Sequence, residues 1–364
     1  MNDYRRKITR TVYIGPVPIG GGHPVSIQSM CNTPTTDVAA TLAQLRALAQ
    51  AGAQIGRLAV PDQAAADCLP DILRDSPLPL VADIHFDYRL ALAAIRSGVQ
   101  GLRLNPGNIG EPERVRLVAE AAGAAGIPIR IGVNGGSLEK DLLAKYGGIT
   151  PEALVESALN HAALLEAHGF HDIKLSLKAS SVPTMVAAYR LASERTDLPL
   201  HLGVTEAGSL LRGSVKSALG LGALLLEGIG DTLRISLTDD PVREVEMACE
   251  ILSMLGLRQG GWEFVSCPTC GRTRIDLIAL AHRVEQALSN IVPPRPLKVA
   301  VMGCAVNGPG EAADADIGLA AGADGGLIFR RGEKVGYYNE DVLFDTFIGM
   351  VKELTQEPPS DKIN

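Results

Sequence analysis

Short apolar runs alternate with amphipathic stretches along the first two thirds of the chain. The runs are Val25–Met30, Ile55–Val60, Leu80–His85, Gly101–Asn105, Ile127–Asn134, Ile173–Lys178, Leu200–Thr205 and Thr232–Leu237. Between them, stretches such as Asp37–Ala51, Asp87–Ser97, Glu111–Ala125 and Pro151–Ala167 carry helical spacing. Thr150-Pro151 and Asp240-Pro241 read as N-caps followed by proline in the first turn. A strand–helix unit repeated eight times predicts a TIM (β/α)8 barrel, which needs about 250 residues. An open doubly wound sheet is the competing arrangement. Gly20-Gly21-Gly22 does not favour a nucleotide-binding sheet, because it precedes the first strand instead of linking a strand to a helix.

A barrel strand is buried on both faces and should be almost wholly apolar. These strands are not. Arg57, Asp83, His85, Arg103, Asn105, Arg130, Asn134, Lys174, Ser176, Lys178, His201, Thr205, Arg234 and Ser236 interrupt them, most of them near the C-terminal ends, and Glu206 follows directly. Side chains alternate faces along a strand, so Arg103 and Asn105 share a face, as do Arg130 and Asn134, Lys174 and Lys178, and Arg234 and Ser236. Barrel active sites lie at this end. Six cations there exceed what Asp83 and Glu206 can neutralise, and an unpaired buried cation costs several kcal/mol. An anionic ligand is the natural complement, and arginine forks suit phosphate oxygens. Taken one at a time, each charge could equally belong to a structural ion pair.

The pattern changes after about residue 256. Trp262–Ser266 reads as a strand leading into Cys267-Pro-Thr-Cys270-Gly, Thr273–Ser289 as a helix, and residues 291–296 as a stiff proline-rich connector. Leu297–Met302 is an apolar strand ending at Gly303-Cys304, followed by a Gly-Pro-Gly-Glu311 turn. Further strands are expected at Asp316–Ala320, Gly326–Phe329 and Lys334–Tyr338, and a last helix near Asp341–Leu354. The expected division is a barrel over residues 1–256 and a small α/β domain over residues 257–364.

The length of 364 residues accommodates both domains. A net charge of −7 disfavours a general nucleic-acid or anionic-membrane surface, and 4 % aromatics offer no stacking platform for single strands. The N-terminus has no apolar stretch behind its basic residues, and no apolar run approaches membrane length. A cytoplasmic protein is expected. Its six cysteines are then core residues, metal ligands or redox groups instead of a disulfide framework. Cys68 and Cys249 sit in helical patterns, and Cys31 after the first strand reads as structural. Cys267, Cys270 and Cys304 sit beside Gly and Pro at strand ends. Spacing alone leaves a cluster, zinc and a redox dithiol open. Structural zinc wants four closed ligands, whereas three thiolates suit a cluster with one exchangeable iron, for which Glu311 is a candidate ligand.

The segments SIQSMCNTPTTD, LVADIHFD, GLRLNPGNIG, IRIGVNGGSLE, IKLSLKAS, GVTEAG, FVSCPTCGR and MGCAVNGPGEA together resemble the bacterial 4-hydroxy-3-methylbut-2-en-1-yl diphosphate synthase family, also called GcpE or IspG. The likeness runs from about residue 8 to about residue 335. Cys31 stands where threonine is common in the family. The resemblance implies a barrel followed by a small, sulfite-reductase-like iron–sulfur domain. It implies reductive ring opening of 2-C-methyl-D-erythritol 2,4-cyclodiphosphate in the non-mevalonate (MEP) isoprenoid pathway, with flavodoxin or ferredoxin as electron donor. A 4Fe–4S cluster on Cys267, Cys270 and Cys304 is implied, with Glu311 on the fourth iron until substrate displaces it. So are substrate contacts from Arg57, Arg103, Asn105, Arg130, Asn134, Lys174, Arg234 and Ser236, Glu206 as catalytic acid, and a homodimer that shares its active site between subunits. Chain flexibility near Leu255–Gly261 is expected. A methyl-transferring pterin or corrinoid barrel with a structural zinc domain is the rival enzyme class, and a non-catalytic scaffold is the other. Protein purified without oxygen is expected to be brown and to bleach in air. A colourless, zinc-loaded preparation would favour the methyl-transferring rival.

Overall fold

The computed structural model describes residues 6–258, 260–289, 291, 293–304 and 308–357. The chain forms two compact units that divide between Leu255 and Gly256.

The first unit opens with a hairpin of β1 (Val12–Ile14) and β2 (Val17–Ile19), turned at Gly15 with φ +55°. Eight parallel strands follow: β3 (Ser26–Met30), β4 (Ile55–Ala59), β5 (Leu80–Asp83), β6 (Gly101–Leu104), β7 (Ile129–Asn134), β8 (Ile173–Lys178), β9 (His201–Leu202) and β10 (Thr232–Leu233). Their order is β8-β7-β6-β5-β4-β3-β10-β9, and a bridge between Leu175 and Leu200 joins the two ends of the sheet. This is a nearly closed parallel barrel, as the strand–helix repeat predicts. β9 and β10 are shorter than their apolar runs. Their ladder covers two residues of each strand, and beyond it the Arg234 N–H still donates to the Leu202 carbonyl at 3.0 Å.

Helix entries obey local chemistry. Asp37, Asp62, Asp87, Thr150, Ser181 and Asp240 each accept a backbone N–H from the first turn of the helix they precede. Gly52, Gly98 and Gly126 end helices in the left-handed conformation.

The hairpin was not foreseen from the periodicity, because its strands have three residues each and too few alternations to register. It closes the N-terminal end of the barrel. Ile14 and Ile19 pack with Val12, Ile55 and Val81 in one buried cluster. A Cβ at Gly101 would lie 2.6 Å from Ile14 Cδ1, so the plug fits only because β6 opens with glycine.

The second unit carries a five-stranded sheet in the order β11 (Gly261–Ser266), β12 (Pro296–Met302), β13 (Ile317–Gly322), β14 (Gly325–Arg330), β15 (Glu333–Asn339). The first three are parallel, and the last two are antiparallel hairpin partners. Helices Leu277–Leu288 and Glu340–Gln356 contribute Val284, Leu288, Phe347 and Val351 to the larger core. The short helix Gly308–Ala313 contributes Ala312 to a smaller one. The helix expected from Thr273 begins at Leu277, because Asp276 caps it by accepting the Ala279 N–H. Of the expected connectors, Gln259, Val292 and residues 305–307 lie outside the described residues. No helix among the described residues is long and apolar enough to cross a membrane.

Replacing Ile14 by Ala should remove the centre of the plug. Chemical denaturation of the variant is expected to show a loss of roughly 2–5 kcal/mol. A loss under 1 kcal/mol would mean that the hairpin is not integral to the barrel.

Candidate functional site

Pairing register fixes which side chains share a level inside the barrel. Asp83 pairs with Arg103, Arg103 with Arg130 and Arg130 with Lys174; Met30 pairs with Arg57, and Asn134 with Lys178. In a tilted barrel, residues from alternate strands form each level. Followed around the barrel, these pairs put Asn105, Lys178 and Ser236 near the open end, with Asn134 and Thr205 at the rim. Met30, Asp83, Gly132 and Gly203 come next, then Arg57, Arg103 and Arg234. Gln28, Val81, Arg130 and His201 lie beneath, and Ile55, Lys174 and Thr232 deeper still.

The two glycines make room for charge. A Cβ at Gly132 would lie 2.5 Å from Arg103 Nε, and one at Gly203 would lie 3.0 Å from Lys178 Nζ. The long cationic side chains therefore fold across positions where other barrels carry branched residues.

Arg57, Arg103, Asn105, Arg130, Lys174 and Lys178 are all buried, while Arg234, Ser236 and Asn134 are part-exposed. Arg103 donates to Asp83 Oδ1 at 3.1 Å and to the Gly132 carbonyl at 2.9 Å, and Asn105 Oδ1 accepts the Gly132 N–H at 2.9 Å. Arg57 Nε lies 3.6 Å from the other Asp83 oxygen and also donates to Met30 Sδ. One carboxylate thus serves two guanidiniums.

The sequence assigns Arg234 no partner of its own, and the structure gives it one. Glu244, buried on helix Pro241–Met254, takes Arg234 Nε and Nη2 on its carboxylate at 3.0–3.2 Å and also accepts the Leu237 N–H at 2.9 Å. Sequence reading missed Glu244 because it sits seven residues beyond its strand run, inside a helical pattern. Glu206 is not the counter-ion. It is exposed beyond β9 with φ +52°, a left-handed conformation that only one other non-glycine, Arg331, shares among the described residues. Such backbones cluster at functional sites.

Electrostatics follow from this crowding. Burial pulls Arg57 down to about 10 despite Asp83. Burial, with repulsion from neighbouring arginines, drives Arg130, Lys174 and Lys178 well below their usual values. Burial alone would raise Asp83, but Arg57, Arg103 and Arg130 outweigh it and hold the carboxyl below its ordinary value. Glu244 moves the other way, because burial outweighs Arg234. Two carboxylates among six cations leave a strong positive field, which an incoming anion would relieve.

In the second unit, β11 and β12 run parallel with Ser266 opposite Val301, so Cys267 and Cys304 leave the same end of the sheet. Cys267 Sγ accepts the Gly303 N–H at 3.4 Å, and the Arg274 N–H donates to the Gly303 carbonyl at 3.3 Å. A Cβ on Gly303 would approach Thr273 Cγ2 to 3.0 Å, so glycine allows this close contact. Cys270 is exposed, and the Arg272 backbone N–H helps hold its thiol below the usual value. Cys304 is buried. Glu311 is exposed in the first turn of helix Gly308–Ala313. Cys267 and Cys304 at one sheet end, with Cys270 and Glu311 on the segments that follow, supply the donor chemistry of a cluster. Among the described residues no three such side chains converge as a closed metal site, and residues 305–307, which join Cys304 to that helix, lie outside them.

The GcpE TIM-barrel domain matches residues 9–249, and the GcpE protein C-terminal domain matches residues 263–353. The chain belongs to the GcpE family. It is 60 % identical over 330 residues to a 4-hydroxy-3-methylbut-2-en-1-yl diphosphate synthase (flavodoxin) of Maridesulfovibrio salexigens, covering 91 % of this chain and 92 % of that protein. A Lawsonia intracellularis protein of the same name is 58 % identical over 353 residues, covering 97 % and 98 %. Among solved structures, a type I 3-dehydroquinate dehydratase from Clostridium difficile aligns with a TM-score of 0.50 at 13 % identity, covering 68 % of this chain and 98 % of that one. That likeness concerns the fold alone. GcpE membership does not favour the methyl-transferring reading.

The Asp83 carboxyl, lowered in the folded state, stabilises the fold fully above the ordinary carboxylate pKa of about 3.9. Its contribution is lost as pH falls through the folded value. Asp83→Asn should remove that acid limb from the stability–pH profile and cost roughly 3–5 kcal/mol at neutral pH, because two buried guanidiniums lose their shared partner. An unchanged acid limb would show that Asp83 is not their counter-ion.

Proposed function

We propose that this chain performs the reaction named for its GcpE relatives: reductive opening of 2-C-methyl-D-erythritol 2,4-cyclodiphosphate to 4-hydroxy-3-methylbut-2-enyl diphosphate. It is an oxidoreductase of isoprenoid precursor synthesis, taking two electrons from reduced flavodoxin, with ferredoxin as the other donor of suitable chemistry. One observation supports the substrate class above all others. From its mouth downward the barrel interior holds six cationic side chains and two carboxylates, both already engaged by arginines.

In this reading the diphosphate lies across Arg57, Arg103, Arg130 and Arg234, and its oxygens accept from Asn105, Asn134 and Ser236. Lys178 stands closer to the open end than Lys174, so Lys178 would touch the substrate while Lys174 adds positive potential from below. Asp83 and Glu244 orient the guanidiniums, which keeps the forks fixed before the anion arrives. Glu206 holds a carboxyl at the rim, on a left-handed backbone, and would give a proton to the departing oxygen.

Cys267, Cys270 and Cys304 would hold a 4Fe–4S cluster, with Glu311 as the fourth ligand, at the end of β11 and β12. When bound, the cluster would supply the two electrons singly and a Lewis-acidic iron. The chain's own part is to keep three thiols together: the Gly303 contacts hold the Cys267 loop against Cys304. A cytoplasmic homodimer belongs to the same proposal.

Anaerobic preparations are expected to contain about four irons and four sulfides per chain and to consume the cyclic diphosphate with reduced flavodoxin. Glu206→Gln should keep the cluster and substrate affinity but lower kcat by about 100-fold or more. Full turnover of that variant with an intact cluster rules out the acid role, and turnover by protein that binds no iron rules out the reading as a whole.

A further inference from the structure

Outside the strands, one buried polar cluster has no part in the proposed reaction. His161 lies on helix Pro151–Glu166 and is 6 % exposed. Its Nδ1 accepts the Gly107 N–H at 3.1 Å, and its Nε2 lies 2.8 Å from Glu139 Oε1. Ser157, one turn earlier on the same helix, donates to the same Glu139 oxygen at 3.0 Å. Gly107 belongs to the short helix Pro106–Ile109, which follows Asn105 directly. Glu139 lies just beyond the Gly135–Ser137 turn that follows Asn134. One imidazole therefore joins the loops that leave β6 and β7.

The partners fix which ring nitrogen carries the proton. A backbone N–H can only donate, so Nδ1 presents its lone pair and the proton sits on Nε2, facing the carboxylate. Burial holds His161 below its ordinary value and outweighs the opposing effect of Glu139, which keeps the ring neutral. The group is not a hydrolytic triad. Both imidazole nitrogens are engaged, and Ser157 meets the carboxylate instead of the ring. The fit is also tight. A Cβ at Gly107 would lie 2.4 Å from His161 Cε1, so the β6 loop rests on the imidazole only because residue 107 is glycine.

Both loops start from groups of the mouth. The ladder between β6 and β7 ends at Leu104 and Ile131. Above that level Asn105 Oδ1 accepts the Gly132 N–H, which leaves Asn105 Nδ2 as the end able to donate to an anion. The contacts close a circuit: Asn105 to Gly107, through His161 to Glu139, then back along the chain past Asn134 to Gly132.

We propose that His161 is a positioning residue for the mouth, tying the Gly107 loop to Glu139 and thereby setting Asn105 and Asn134 before the diphosphate arrives. The role rests on the reading that these two asparagines meet the substrate. His161 acts through them on binding that the ground and transition states share, so it governs KM more than kcat.

The test uses the full chain, cluster-loaded and kept free of oxygen. His161→Asn keeps an acceptor near the Nδ1 position but does not reach Glu139, whereas His161→Gln reaches Glu139 but leaves Gly107 without its acceptor. The Gly107 amide should exchange its hydrogen roughly tenfold faster in His161→Gln and stay protected in His161→Asn, with the barrel strands protected in both. Inorganic pyrophosphate, titrated by calorimetry, should bind each variant roughly tenfold more weakly. With the cyclic diphosphate, KM should rise by a similar factor while kcat stays within about twofold. Gly107→Ala disturbs the same contact from the other side and takes the place of His161→Gln if that variant does not fold. Gly107 exchange that is unchanged, or raised along with the whole barrel, overturns the proposal. So does pyrophosphate affinity equal to that of the unaltered chain, or a loss confined to kcat. Failure of the unaltered chain itself to bind pyrophosphate would instead overturn the substrate reading, and this role with it.

Discussion

Positive charge held inside a closed strand array is the constraint from which the rest of the first unit follows. A parallel barrel normally fills its interior with branched apolar side chains. Here three successive levels carry Arg57, Arg103, Arg234, Arg130 and Lys174, and among the described residues Asp83 and Glu244 are the carboxylates that pair with Arg57, Arg103 and Arg234. Such an interior is tolerable only if the guanidiniums are fixed by hydrogen bonds and an anion completes the charge balance. The engaged carboxylates supply the first condition, and the open mouth admits a ligand that meets the second.

Accommodating that charge shapes the backbone. Gly132 and Gly203 leave space on the inner face for the side chains of Arg103 and Lys178. The apolar packing displaced from the upper levels is concentrated at the floor, where the β1–β2 hairpin brings Ile14 and Ile19 against Ile55 and Val81. Stability and recognition are thus separated along the barrel axis: apolar contacts at the base, charge above. The second unit obeys a similar economy. Strand β12 buries Leu297, Val299 and Val301 in one core, and the parallel strands β11 and β12 leave their C-terminal ends to a loop that Gly303 holds in place.

Both the barrel and the small α/β unit were legible in the sequence, because strand runs of four to eight residues and capped helices repeat with unmistakable spacing. So was the cationic character of the mouth, since a period of two puts Arg103 with Asn105, Arg130 with Asn134, Lys174 with Lys178 and Arg234 with Ser236 on one face of each strand, near the strands' C-terminal ends. The C-x-x-C and Gly-Cys motifs announced a thiol-rich strand end, though spacing alone left its occupant open. The short hairpin and the exact start of helix Leu277–Leu288 escaped detection, because three-residue strands carry too little periodicity and a capping aspartate outweighed the longer helical pattern.

Partners were another matter. The chain order of residues determines which groups exist and which face each takes, because those depend on local geometry that repeats every two or 3.6 positions. Only the tertiary structure decided that Glu244 and not Glu206 holds Arg234, that Asp83 bridges Arg57 and Arg103, and that Lys174 lies beneath Lys178. Ion pairing and depth depend on the register between strands and on helices packed from far along the chain, and a side-chain pattern within one segment carries no record of either.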